Sequence, residues 1–209
     1  MSKTDKNKWI STKLETICDM YQPKTISQDE MIDNGKYPVF GANGIIGRYN
    51  QYNHEQPQLL VTCRGATCGT INISEPFSWI TGNSMVIRSK DENKVCFEYL
   101  TYYLKRNNTM LAVITGAAQP QITRSNLKEL KVVFPYNIAE QQQIASTLDK
   151  TSELITLRKK QLTELDTLAE SVFYDMFGDP VKNEKGWEMK QWKNLFETRL
   201  GKMLDKKSK

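Results

Sequence analysis

Residues 139–176 read AEQQQIASTLDKTSELITLRKKQLTELDTLAESVFYDM, and this stretch decides the fold. It holds neither glycine nor proline, and residues of high helix propensity dominate it. A seam of Ile144, Leu148, Thr151, Ile155, Arg158, Leu162, Leu165, Ala169, Val172 and Met176 advances in alternating steps of four and three. That is heptad spacing, which lays one stripe along a helix for a partner helix to cover. Thr151 and Arg158 weaken the stripe in its middle. At 1.5 Å per residue the helix would be about 57 Å long. Gly178-Asp179-Pro180 stops it. The pattern predicts a coiled-coil-forming helix with Ile144, Leu148, Ile155, Leu162, Leu165 and Val172 in its interface. The plainer alternative is a long core helix packed on its own domain.

Upstream the texture changes. Asn34-Gly35, Asn43-Gly44 and Gly82-Asn83 are turn dipeptides, with Gly41, Gly47, Gly65 and Gly69 close by. Between them lie β-prone runs at 37–40, 59–63, 70–73, 84–87 and 130–134. Tyr99, Leu100, Tyr103 and Leu104 recur at helical spacing, which predicts a helix over 97–107, and a shorter one is expected over 109–114. The expected class is α+β: a strand-rich globular domain over 1–136, the long helix over 137–177, and a linker with the opening of a second repeat over 178–209. The repeat rests on Trp9, Leu14, Ile17 and Lys24 aligning with Trp187, Trp192, Leu195 and Lys202. On this reading the chain holds one full unit and the start of another, ending in Lys206, Lys207 and Lys209.

Bulk properties narrow the function. The 209 residues are 39% hydrophobic and 25% charged, as in ordinary globular proteins. A net charge of +5 and a pI near 8.9 permit a polyanionic partner. The N-terminus lacks the apolar run of a signal peptide, and no stretch approaches the roughly 18 apolar residues of a membrane span, so a cytoplasmic location is expected. Cys18, Cys63, Cys68 and Cys96 do not have metal-ligand spacing and are read as reduced thiols. The single histidine, His54, lacks a nearby triad partner and is assigned to the surface. There is no GxxxxGK[ST] loop, and no glycine-rich cofactor loop with an Asn/Asp-Pro-Pro-aromatic turn. Asp179 with Glu188-Met189-Lys190 has nuclease-like spacing but lies in a linker. Catalytic residues, metal and cofactor are all expected to be absent.

Three loops combine glycine with Asn, Gln and Arg, the side chains that reach base edges. The first is 41–49, offering Asn43, Gly44, Arg48 and Tyr49. The second is Arg64, Gly65 and Thr67, directly after an apolar strand. The third is 116–125, offering Gln119, Gln121, Thr123 and Arg124. Asn83 and Ser84 are a further candidate contact, and Lys36, Lys105 and Arg106 are read as solvated or phosphate-facing charges.

Several stretches, in order, resemble one family. They are Tyr37-Pro38-Val39-Phe40-Gly41-Ala42-Asn43-Gly44, Leu60-Val61-Thr62-Cys63-Arg64-Gly65, Tyr99-Leu100-Thr101-Tyr102-Tyr103-Leu104, Gly116-Ala117-Ala118-Gln119-Pro120-Gln121-Ile122, and Glu140-Gln141-Gln142-Gln143-Ile144 after Phe134-Pro135. Together they are similar to the specificity (S) subunits of type I restriction–modification systems, whose module also occurs inside some single-chain restriction–modification enzymes. The resemblance implies a target recognition domain that binds double-stranded DNA. It also implies a spacer helix that docks methyltransferase (M) subunits and, through them, restriction (R) subunits. A usual S subunit carries two such domains and two helices. A half-length form would homodimerise through the long helix and read a gapped palindrome. The competing expectation is a non-catalytic coiled-coil adaptor that does not read DNA.

Overall fold

A computed structural model of the chain describes residues 8–105, 109–116 and 119–201. Arg106, Ala117, Ala118, Lys202 and the three tail lysines lie outside the described residues. Strand β1 (Trp9–Lys13) runs antiparallel to β9 (Lys131–Pro135), with Ile10 opposite Phe134 and Thr12 opposite Val132. In such a pair alternate residues turn their polar groups toward the partner strand and the residues between turn them away. The outward carbonyls of β9 are met by side chains. Tyr103 and Tyr99 of α2 (Phe97–Lys105) donate their hydroxyls to Lys131 and Val133 at 3.3 and 2.8 Å. Gln141 of α4 (Ile138–Phe177) donates to Pro135 O at 2.8 Å. The two tyrosines are four residues apart, so they share one helix face. Burial pushes the Tyr99 hydroxyl up to about 12, which keeps it a proton donor at neutral pH.

The central sheet is antiparallel in the order β2 (Cys18–Tyr21), β8 (Ser84–Ser89), β5 (Leu59–Thr62), β6 (Ile71–Ile73). Every residue of β5 is buried, as expected for a strand covered on both faces. Leu59 and Val61 face the main core with Leu14, Met20, Ile87, Leu100 and Leu127. Leu60 faces a second cluster with Phe40, Ile80 and Val86. That second face is closed by a sheet in which β3 (Tyr37–Gly41) lies between antiparallel β4 (Gly44–Tyr49) and parallel β7 (Trp79–Ile80). Two short helices, α1 (Leu14–Ile17) and α3 (Arg124–Lys128), place Leu14, Ile17 and Leu127 in the main core. The expected helix over 109–114 is a tight 3₁₀ turn at Met110–Val113.

His54 is half-buried rather than on the surface. The Asn53 amide pairs with both backbone groups of Ile80, so its Oδ1 is an acceptor and takes the His54 Nδ1 proton at 2.6 Å. Nε2 is then the acceptor for the Tyr21 hydroxyl at 2.8 Å. Protonation would turn that acceptor into a donor.

Contacts divide the chain into Met1–Ser152 and Glu153–Lys209. The first turns of α4 belong to the first unit: Gln141 and Ala145 are buried, and Ile138 and Ile144 pack on the main core. In the second unit Gly178, at φ +73, ends the helix, and its amide donates to Tyr174 O at 2.8 Å. Lys185 Nζ donates to the carbonyls of Asp175 and Met176, and Trp187 Nε1 to Phe177 O at 2.7 Å. A single helical turn at Trp192–Asn194 falls where the repeat aligns it with α1. No helix among the described residues is long and apolar enough to cross a membrane.

Burial, and to a lesser extent the Arg88 charge, holds the His54 imidazole below its usual range. Below about pH 6.5 the unfolded chain therefore takes up a proton that the folded chain resists, and stability falls as pH drops through this window. Thermal unfolding at pH 7.5 and 5.5 should show that loss, and His54→Gln should shrink it. An equal loss in the variant would assign the effect elsewhere.

Candidate nucleic-acid interface

The tip of the β3–β4 hairpin is Gly41-Ala42-Asn43-Gly44. Gly44 has φ +112, a conformation that side chains with a Cβ rarely adopt. Two buried hydroxyls hold the tip from beneath. Thr62, the last residue of β5, donates to Ala42 O. Ser84, the first residue of β8 and the register partner of Thr62, donates to Gly41 O at 2.7 Å. Asn72 donates to Asn43 Oδ1 at 3.4 Å. The hairpin tip is thereby fastened to one end of the central sheet.

The second loop leaves the same end. After Thr62 and Cys63, Arg64 forms an antiparallel bridge with Gln121, flanked by bonds from Ile122 N to Cys63 O (2.8 Å) and from Gly65 N to Pro120 O (3.2 Å). Gln121 also exchanges both backbone bonds with Thr115, at 2.8 and 2.9 Å. A Cβ on Gly116, at φ +89, would lie 2.4 Å from Gln119 O, so this position requires glycine. Thr123 Oγ1 then accepts from Asn126 N at 3.2 Å and caps α3, whose first residue is Arg124.

These bonds bring together most of the residues singled out from the sequence. Asn43, Arg64, Thr67, Asn83, Gln119, Gln121 and Arg124 are all exposed. Among the described residues, none but Asn43 has a side-chain hydrogen bond or ion pair. Four candidates behave differently, among them Thr123, whose hydroxyl caps α3. Residues 44–49 are strand β4 rather than loop, so Arg48 and Tyr49 sit about 13 and 17 Å along the strand from Gly44. The Arg48 guanidinium clamps the turn beneath it, donating to Gly35 O at 2.5 Å and Lys36 O at 2.8 Å. Tyr49 stands edge-on to Trp79 with ring centroids 5.3 Å apart. Ser84 is buried and supports the hairpin tip rather than presenting itself outward.

The positioning groups Thr62, Asn72, Thr115 and Asn126 were not foreseen from the sequence. Thr62 alone left a signal, a hydroxyl closing an otherwise apolar strand. Among the described residues no cluster of three or more His, Cys, Asp or Glu is placed to hold a metal, and all four cysteines are free. Along α4 the seam residues Leu148, Ile155, Leu162, Leu165 and Val172 expose between 39% and 63% of their surface, whereas Ile144 is half-buried against the main core.

Comparisons with known proteins agree with this architecture. Residues 6–167 match the family described as "Type I restriction modification DNA specificity domain". A specificity subunit of the type I restriction enzyme MjaIX from Methanocaldococcus jannaschii is 33% identical over 126 residues, covering 51% of this chain and 29% of that protein. The EcoprrI specificity subunit of Escherichia coli is 28% identical over 118 residues, covering 56% and 28%. Among solved structures, a type I S subunit from M. genitalium superposes with a TM-score of 0.65 at 20% identity, over 85% of this chain and 48% of that one. The HsdS subunit of Thermoanaerobacter tengcongensis gives 0.59 at 19%, over 81% and 45%. The chain thus spans less than half the length of these relatives.

Ser84→Ala should lower the unfolding free energy by about 1 kcal/mol or more, because it leaves Gly41 O without its buried donor. Urea titration measures this. Asn43→Ala, on the exposed rim, should stay within about 0.5 kcal/mol of the parent.

Proposed function

Because the chain belongs to the type I restriction modification DNA specificity family, we propose that it reads a short DNA sequence for a restriction–modification complex and catalyses no step itself. One observation carries this reading. A set of exposed Arg, Gln, Asn and Thr side chains, mostly without internal partners, is gathered at one end of the sheet on a backbone that buried hydroxyls fix from below. Such groups are free to exchange water for base edges. Arginine forks onto guanine O6/N7 and glutamine onto adenine N6/N7, each worth about 1–3 kcal/mol of discrimination. Across an antiparallel bridge the side chains of Arg64 and Gln121 start about 5 Å apart, comparable with the roughly 3.4 Å between stacked base pairs. They are therefore suited to neighbouring bases. The net charge of +5 favours approach to phosphate.

Helix α4 is the spacer in this proposal. Its exposed seam from Leu148 to Val172 pairs with the same seam of a second such helix, supplied by another copy as a homodimer. The remaining apolar positions, Leu154, Leu157 and Leu168, contact M subunits, and R subunits join through them. The heptad spacing and the exposure of every seam residue beyond Ile144 support this.

The test is selection from random duplexes, with and without a co-expressed methyltransferase subunit. Enrichment of a defined sequence is expected, and Arg64→Ala and Gln121→Ala should each weaken binding to it by about 5- to 100-fold without altering the melting curve. Arg48→Ala should instead cost about 1 kcal/mol of stability and leave the preferred sequence unchanged. Failure to retain any sequence, even in the complex, sinks the reading and leaves an adaptor.

For the helix, Leu148→Asp combined with Leu162→Asp should give monomers in sedimentation, because a charge in an apolar seam is costly to bury. An unchanged dimer would overturn the pairing.

A further inference from the structure

Gln141 is fully buried in the fourth position of a 40-residue helix that is otherwise largely exposed. Its side chain makes three hydrogen bonds. Oε1 accepts from Cys96 N at 3.0 Å, and Nε2 donates to Lys94 O at 2.9 Å and Pro135 O at 2.8 Å. One amide therefore joins the entrance to α2, the end of β9 and the first turn of α4. A buried amide with both donors and its oxygen paired specifies one geometry, because any shift leaves desolvated groups unpaired. A second bond lies eight residues on, where Tyr102 of α2 donates to Asp149 Oδ1 at 2.5 Å. The two attachments are about 12 Å apart along the helix, and two points fix the direction of an axis.

The direction matters because the helix is a long lever. A tilt at the attached end of any helix moves points farther along it in proportion to their distance, so a shift of about one 3.4 Å base-pair step needs only a few degrees over several tens of ångströms. Packing of Ile138, Ile144 and Ala145 on the core holds the helix on the domain but tolerates sliding, since apolar contacts are not directional.

We propose that Gln141 and the Tyr102–Asp149 pair are positioning residues for the spacing of the recognised site: they hold the recognition domain on the first turns of α4 at one angle, and so restrict the gap between half-sites to one length. This rests on the DNA-reading function proposed above. Neither group touches a base, so each governs the gap and not the half-site sequence.

The experiment selects from duplexes carrying two random half-sites separated by random gaps of varied length, using the full chain with its co-expressed methyltransferase subunit. The parent should enrich one pair of half-sites at one gap, with neighbouring gaps disfavoured by about tenfold. Gln141→Met keeps the side-chain length and removes the three hydrogen bonds. It should retain the same half-sites and bring neighbouring gaps to within about threefold. Tyr102→Phe removes only the Tyr102 hydroxyl, with its bonds to Asp149 and Ser152, and should broaden the gap in the same direction, to a smaller extent. It carries the test by itself if Gln141→Met does not fold. Gap selection as sharp as the parent's in the folded variants overturns the positioning role while leaving the reading function intact. Absence of any enriched half-site in the parent overturns the reading function instead.

Discussion

The outward edge of β9 is the constraint on which the rest of the structure depends. A strand at the margin of a sheet presents unpaired carbonyls, and leaving them buried without donors would cost about 1–3 kcal/mol each. Here Tyr103, Tyr99 and Gln141 answer Lys131, Val133 and Pro135 in turn. Those three donors lie on two different helices. Satisfying one strand therefore fixes where α2 lies and where α4 begins, and the main core fills the space between.

From that edge the geometry propagates to the candidate interface in few steps. The strand β9 aligns β1, whose continuation into α1 seats Leu14 beneath the central sheet. The central strand β5 ends in Thr62, and the next residues turn outward as Arg64 and Gly65. The hairpin tip, the Arg64 loop and the Gln121 bridge share this one end because backbone bonds and two hydroxyls bind them to it.

Much of this was legible from the sequence, and the misses have physical causes. The long helix was readable because Gly and Pro are absent and heptad spacing is sustained, and it runs over Ile138–Phe177. The apolar runs that became β3, β5, β6, β8 and β9 were readable because buried strands are rich in β-branched residues. Strand β4 was missed because Gly44, Gly47 and the exposed Ile45 and Ile46 mimic a loop, and its pairing with β3 is a tertiary fact. The bonds of Arg48 to the Gly35 and Lys36 carbonyls were not readable from the sequence, because they depend on the pairing of β4 with β3. Strands β1 and β2 are only five and four residues long, too short to declare themselves before their partners are known. Ile144 fits the heptad, yet the globular core claims it first.

The hairpin tip also separates two kinds of residue. The hydroxyls that shape it, on Thr62 and Ser84, are buried, while Arg64, Gln121 and their neighbours stand in solvent and contribute little to holding the backbone. Exchanging the outer set leaves the inner set, and therefore the loop geometry, intact. A surface arranged in this way is evolvable: its chemistry can drift from one preference to another through folded intermediates, without the chain crossing a stability threshold at each change.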